Sequence, residues 1–435
     1  MSPSVLFLNP PALPGTTANR EGSAGMGVSV ETAGAFTYPP YLLASCAAVM
    51  RGQGWRVAGL DAVALGLDFV QTLDRLPVAD LLVVPVSYGT LAADRAFLNE
   101  LRRRKPLLKV LAVGPSLSYR QVDHVFSDLV DLMVAGEPEM ALPAAARRLL
   151  AGEERPGRVI NPYELAPAAY WPAGLLADLN SLPLPAWDIF DGVAYPFLTI
   201  LSSRGCPAGC GFCPYVAAQG LEHRIQSPAR TASEMAFLAQ DMNARRVMFR
   251  DPVFARDRSR VLALSSELLR LALPVSWECE SRPEHFDAQL LSSLHAAGCD
   301  TVKIGLESGD PELLAAIGRV RDEVDGRAYL EQVTAVVAAC RQIGITCRVF
   351  VMVGLPDQSP QSVARTADFL RQLRPARLHV KHYGWYPGVA LSHGGDDDWT
   401  AAAAQLRAAA SPPDSRWRQA ARRFLRPAAQ RSADG

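Results

Sequence analysis

The chain has 435 residues, 49% of them hydrophobic, which is enough for two or three globular domains with ordinary cores. Lys plus Arg balance Asp plus Glu at 44 each, so no overall charge argues for a nucleic acid or an anionic membrane as partner. No apolar run approaches the ~20 residues of a spanning helix, and with no cleavable hydrophobic leader the sequence reads as soluble and cytoplasmic.

The first third offers short apolar runs at residues 5–8, 55–58, 80–84 and 109–113, separated by helix-like stretches at 41–51 and 94–104. That alternation predicts a parallel α/β sheet with buried strands over residues 1–151. Sheets of this kind bind ligands in the loops beyond the carboxyl ends of their strands. From residue 152 to 196 prolines crowd together, ending in LNSLPLPAWD. Proline blocks helix interiors and sheet ladders, so this segment is expected as a linker wrapped over a neighbouring domain.

A second alternating series follows, with strands expected at residues 197–202, 246–249, 275–280, 301–304, 346–351 and 377–382. Six β/α repeats over residues 197–390 predict an open, partial barrel, whose chemistry belongs at the carboxyl ends of the strands. The tail, 391–435, is short and rich in Ala and Arg, with Arg416, Arg418, Arg422, Arg423 and Arg426 clustered. It is expected as a short basic helix with a frayed end.

Directly after the first of these strands stands SSRGCPAGCGFCPY, which puts Cys206, Cys210 and Cys213 within eight positions. Structural zinc takes four ligands in paired spacings, and the remaining cysteines are scattered singly. A disulfide framework does not suit a long, cysteine-poor, cytosolic chain. An iron–sulfur cluster remains. A [4Fe–4S] cluster normally takes four thiolates, so three leave one iron with an open coordination position. A non-catalytic electron carrier would instead be expected to supply the fourth cysteine.

The spacing C-x3-C-x2-C, with Phe212 before the last cysteine, resembles the signature of the radical SAM superfamily. The order of further pieces, NPP at 9–11, PPYLLA at 39–44, AGEPE at 135–139, LPLPAWD at 182–188, WECESR at 277–282, IGLESGD at 304–310, VGLP at 353–356 and YPG at 386–388, resembles its cobalamin (B12)-binding branch. That resemblance implies an α/β fold: a Rossmann-like cobalamin-binding domain, then a partial (β/α)6 TIM-like radical SAM barrel with a short helical tail. It implies three cofactors: a [4Fe–4S] cluster on Cys206, Cys210 and Cys213, S-adenosylmethionine, and cobalamin.

By the same resemblance, Phe212, Arg250, Glu280, Arg282, Glu307 and Ser308 would contact S-adenosylmethionine. Arg250 and the adjacent Asp251 stand in FRDP, where many members carry Gly-Gly-Glu. Ser87 matches the serine that often meets the lower-base tail of cobalamin, and Gly114-Pro115 departs from the usual Gly-Gly that gives the tail close access. Gly136 and Glu137 complete the expected cobalamin contacts. The D-x-H-x-x-G pattern that supplies a histidine to cobalt is absent, so any bound cobalamin is expected to lack one.

The implied activity is a cobalamin-dependent methyltransferase acting on an unactivated carbon of a specialised metabolite. Ring contraction, cyclisation or oxidation with the same cofactors is the alternative outcome. A small or carrier-bound substrate and a reductant such as flavodoxin or ferredoxin are the expected partners, with no nucleic acid and no membrane span.

Overall fold

The structure is a computed structural model that describes residues 2–30, 36–392, 394 and 398–410. The arginine cluster expected in the tail lies outside the described residues. Within them, two parallel sheets follow one another along the chain.

The first sheet contains β1 (Ser4–Asn9), β2 (Arg56–Asp61), β3 (Leu81–Pro85), β4 (Lys109–Gly114), β5 (Leu132–Ala135) and β6 (Arg158–Ile160), in the order β2-β1-β3-β4-β5-β6. Its interior strands are apolar on both faces because both are covered. Val5, Phe7, Val83 and Leu111 enter one core, and Leu6, Leu8, Leu82 and Val110 another. The sixth strand corrects the expected linker. Arg158–Ile160 pairs in parallel with β5, so the first domain runs past residue 151, and the wrap begins only after it.

That wrap is built from short helical turns at Leu179–Ser181 and Trp187–Phe190. Trp187 and Phe190 are buried in the core that also holds Leu43 of the helix Tyr41–Gly52. The same core continues into the second sheet, so the two domains share apolar packing.

The second sheet contains β7 (Leu198–Ile200), β8 (Arg246–Phe249), β9 (Ser276–Ser281), β10 (Cys299–Glu307), β11 (Thr346–Val353) and β12 (Arg377–His382), all parallel and in sequential order. β7 and β12 remain unpaired with one another, so the barrel is open. The sequence sets the start of its helices. Ser227, Asp257, Asp287, Asp310, Asp322 and Ser359 each accept a backbone N–H from the first turn that follows. Cys279, Cys299, Cys340 and Cys347 are buried among apolar residues of the barrel. No described helix is long and apolar enough to cross a membrane.

Candidate active site

The cysteine loop leaves the carboxyl end of β7 and is pinned by backbone hydrogen bonds from three directions. The Cys206 N–H donates to the Gly220 carbonyl at 3.1 Å, and the Gly211 N–H to the Ile317 carbonyl at 3.1 Å. The Leu391 N–H donates to the Gly211 carbonyl at 2.9 Å. Gly205 turns the chain into the loop with φ +81°, and a Cβ there would lie 1.9 Å from the Glu222 carbonyl oxygen. No side chain fits in that position.

Two guanidinium groups point at one sulfur of the loop. Arg282 Nη1 donates to Cys210 Sγ at 3.3 Å, and Arg319 Nη1 donates to the same atom at 3.7 Å. Arg282 also donates to the Arg319 carbonyl at 3.0 Å, and Arg319 Nε donates to the Tyr329 hydroxyl at 2.8 Å. The pair is therefore held from behind. Two cationic N–H donors thus converge on one sulfur.

Burial pushes the Cys206 thiol up and the Cys213 thiol up to about 12, so the loop without metal is protonated there. Metal that takes these sulfurs as thiolates must displace those protons. Among the described residues, no three Cys, His, Asp or Glu side chains converge tightly enough to hold a single metal ion. A cubane asks for something different, one thiolate on each of three irons. Three loop cysteines, a backbone without room for side chains, and two guanidiniums beside the sulfurs fit such an anionic group.

Of the residues expected at S-adenosylmethionine, some gather here and others do not. Arg282 meets Cys210, as described. Phe212 is buried within the loop. Glu307 is buried at the end of β10, 3.9 Å from Arg319, and burial pushes its carboxyl up against the opposing pull of that arginine. Glu280 is half-buried at the end of β9, and among the described residues its carboxylate has no hydrogen-bond or ion-pair partner. Burial, reinforced by that carboxylate, pushes the nearby Tyr215 phenol well up.

Ser308 is fully buried instead, with its hydroxyl 3.1 Å from that of Thr366 and accepting the Asp310 N–H at 3.0 Å. Asp251 caps the start of the loop by accepting from Ser202 and Ser203. Arg250 turns to the first domain, where it pairs with Glu21 at 2.5 Å and lies 4.4 Å over the Tyr38 ring. Arg319 carried no sequence signal, since a lone arginine 109 residues from Cys210 has no local pattern.

A narrow cleft of about 70 Å³, partly open to solvent, lies where the carboxyl ends of β1, β3, β4 and β5 face the barrel mouth. Asn9, Gly114, Pro115 and Gly136 line it from the first domain, and Tyr215 and Arg250 from the barrel. Glu137 also borders it, but its carboxylate is held by Arg224 at 2.7 and 2.8 Å and by the Leu176 N–H at 2.7 Å. Arg204, two residues before Cys206, contacts both Glu137 at 3.4 Å and Glu139 at 2.7 Å. Burial would raise the Glu137 carboxyl, but Arg204 and Arg224 together hold it below its usual range. Ser87 is buried outside the lining, its hydroxyl 2.6 Å from that of Thr90.

An open parallel barrel with a three-cysteine loop at its carboxyl end is the architecture of a radical SAM enzyme. Residues 200–370 match the model of the Radical SAM superfamily. The chain is 26% identical over 367 residues to an uncharacterized methyltransferase of Pyrococcus horikoshii, covering 82% of this chain and 78% of the relative. It is 24% identical over 205 residues to the hopanoid C-2 methylase of Rhodopseudomonas palustris, covering 45% of this chain and 36% of the methylase. Among solved structures, the radical S-adenosylmethionine methyltransferase TsrM from Kitasatospora setae, with cobalamin and a [4Fe–4S] cluster bound, matches at a TM-score of 0.68 and 20% identity, covering 90% of this chain and 77% of that one. The chain thus shares its two-domain fold with that methyltransferase.

Proposed function

We propose that the chain is a methyltransferase that uses S-adenosylmethionine, a [4Fe–4S] cluster and a corrinoid, and that its substrate is a small organic molecule methylated at an unactivated carbon. The observation that carries this reading is the position of the three-cysteine loop. It stands beside two arginines, next to a cleft that the first domain's strand ends share with the barrel mouth. Bound there, the cluster supplies an electron for cleaving the sulfonium of S-adenosylmethionine, and the corrinoid supplies a carrier for a methyl group.

The chain's own contribution is to hold and exclude. Cys206, Cys210 and Cys213 bind iron as thiolates, and Arg282 and Arg319 stabilise negative charge on Cys210 Sγ. Glu280 is free to accept hydrogen bonds from the hydroxyls or ammonium of S-adenosylmethionine. The ion pairs of Glu137 and Glu139 with Arg204 and Arg224 fix the first domain against the loop, so the two halves of the cleft keep one spacing.

The test uses the full chain reconstituted anaerobically with iron, sulfide and hydroxocobalamin, then given reductant and S-adenosylmethionine. Retained cobalt, together with 5'-deoxyadenosine and S-adenosylhomocysteine, supports the reading. Iron and 5'-deoxyadenosine without retained cobalt would remove the corrinoid and leave a radical enzyme of another outcome.

A further inference from the structure

The last two strands of the barrel turn a cationic face inward. Val349, Val351 and Val353 of β11 and Val380 of β12 are buried in the core beneath the helices. Side chains alternate along a strand, so Arg348, Phe350, Arg377, His379 and Lys381 face the barrel's interior. The register sets Phe350 beside His379 and Arg348 beside Arg377. Neither strand carries a carboxylate.

The acids of the neighbouring strands are committed elsewhere. Glu278 holds Lys303 at 2.5 Å and Arg246 at 2.7 Å, and Asp300 holds Arg246 at 2.6 Å. Glu307 lies 3.9 Å from Arg319. Glu280 remains open, and S-adenosylmethionine is its proposed partner. Among the described residues, neither Arg348 nor Lys381 has a hydrogen-bond or ion-pair partner.

The Lys381 ammonium instead lies 4.3 Å from the centroid of the Phe350 ring, and the His379 ring stands edge-on to that ring at 5.5 Å. Protein surrounds His379 while its ring still meets solvent, as on the wall of a concave surface. Burial, then the charges of Lys381, Arg348, Arg407 and Lys303, hold this histidine down to about 4. The positive charge of the wall therefore comes from lysine and arginine.

Lys381 also reaches the reaction centre. It stands near the carboxyl end of β12, and its charge, after that of Arg319, opposes the rise that burial imposes on Glu307. Arg319 is in turn 3.7 Å from Cys210 Sγ. A molecule tethered at Lys381 by an anionic group thus lies within reach of chemistry at the cysteine loop.

We infer that the substrate is an organic anion whose carboxylate or phosphate group is held by Lys381, with an apolar or aromatic portion against Phe350 and Arg348 adding to the field from the far side of that ring. This rests on the proposed function and names the class of its substrate.

The experiment measures the binding of phenylacetate, phenyl phosphate and phenethylamine to the full, cluster-loaded chain by anaerobic isothermal titration calorimetry. The three probes share one ring and differ in the charged group. At least one anion should bind about tenfold or more tightly than the amine, and the tighter anion separates carboxylate from phosphate. Equal affinities, tighter binding of the amine, or binding of no probe overturns the inference. Lys381 is exposed, so Lys381→Met leaves the fold intact and should abolish the preference. A preference that survives this substitution overturns the inference. So does a loss confined to the response of the cluster's electron paramagnetic resonance signal to S-adenosylmethionine, which would give the lysine to the methionine carboxylate. The proposed function is judged separately, by 5'-deoxyadenosine and retained cobalt in the unsubstituted chain.

Discussion

Glu137 of the first domain and Arg224 of the second meet in a two-pronged ion pair at 2.7 and 2.8 Å, both side chains buried. With Arg204 beside them, they join the AGEPE segment to the base of the cysteine loop. A buried carboxylate between two arginines is costly to dismantle from one side only. Glu137→Gln is expected to destabilise the protein by about 3–5 kcal/mol, because it leaves guanidinium charge buried without a partner. Urea unfolding measures this, and the double substitution Glu137→Gln with Arg224→Gln should cost less than the sum of the two single ones.

Arg319 Nη1 lies 3.7 Å from Cys210 Sγ, so on the proposed cluster it would act through that sulfur. Its N–H and its charge stabilise the more negative, reduced state, so Arg319→Gln should lower the midpoint potential of the reconstituted cluster. A tenfold change in that equilibrium corresponds to about 60 mV for one electron. Potentiometry followed by electron paramagnetic resonance reads the shift, and an unchanged potential would mean that the arginine only packs against Tyr329.

Gly205→Ala tests the geometry of the loop. The substitution puts a methyl group against the Glu222 carbonyl at a backbone angle that L residues avoid, a strain of about 1–3 kcal/mol or more confined to the loop. Iron retained after reconstitution should fall, while the circular dichroism of the apo protein stays that of the parent.

Two histidines make stability depend on acid. Burial holds His223 and His285 down to about 4, His223 with its Nε2 lacking a partner and His285 with its Nδ1 2.9 Å from Ser281 Oγ. Their unfolded counterparts titrate near 6.5, so between those values the unfolded chain binds more protons than the folded one. Stability is full above about pH 6.5 and falls as the pH drops toward 4. Urea midpoints measured across that range should decline, and the decline should be shallower in His223→Asn.

The barrel was largely legible in the sequence, because its strands are apolar runs or alternate apolar with polar residues, and the helices that follow start on Ser or Asp. Strands at 246–249 and 377–382 fall where expected, and the others within a few residues. The first domain was less legible. Leu132–Ala135 is only four residues long, and Arg158–Ile160 is a three-residue edge strand in a proline-rich neighbourhood. The short antiparallel ladder of Thr17–Asn19 with Val28–Val30 has no apolar alternation to announce it.

Three cysteines at fixed spacing name their chemistry locally, but partners distant in sequence do not. Glu137 reads as a cofactor residue until Arg224, 87 positions away, occupies its carboxylate. Ser87 reads as a contact to a ligand until Gly27 covers it. In both cases a loop beyond a strand end, a usual place for ligands, is taken by another part of the same chain.

The most direct test of the central claim, that Cys206, Cys210 and Cys213 carry a cluster with one iron left open for S-adenosylmethionine, is the electron paramagnetic resonance spectrum of the reduced, reconstituted protein before and after S-adenosylmethionine is added. About four irons per chain and a signal that changes on addition, both lost in Cys210→Ala, are the predicted result. A signal indifferent to S-adenosylmethionine at full iron content would contradict the account.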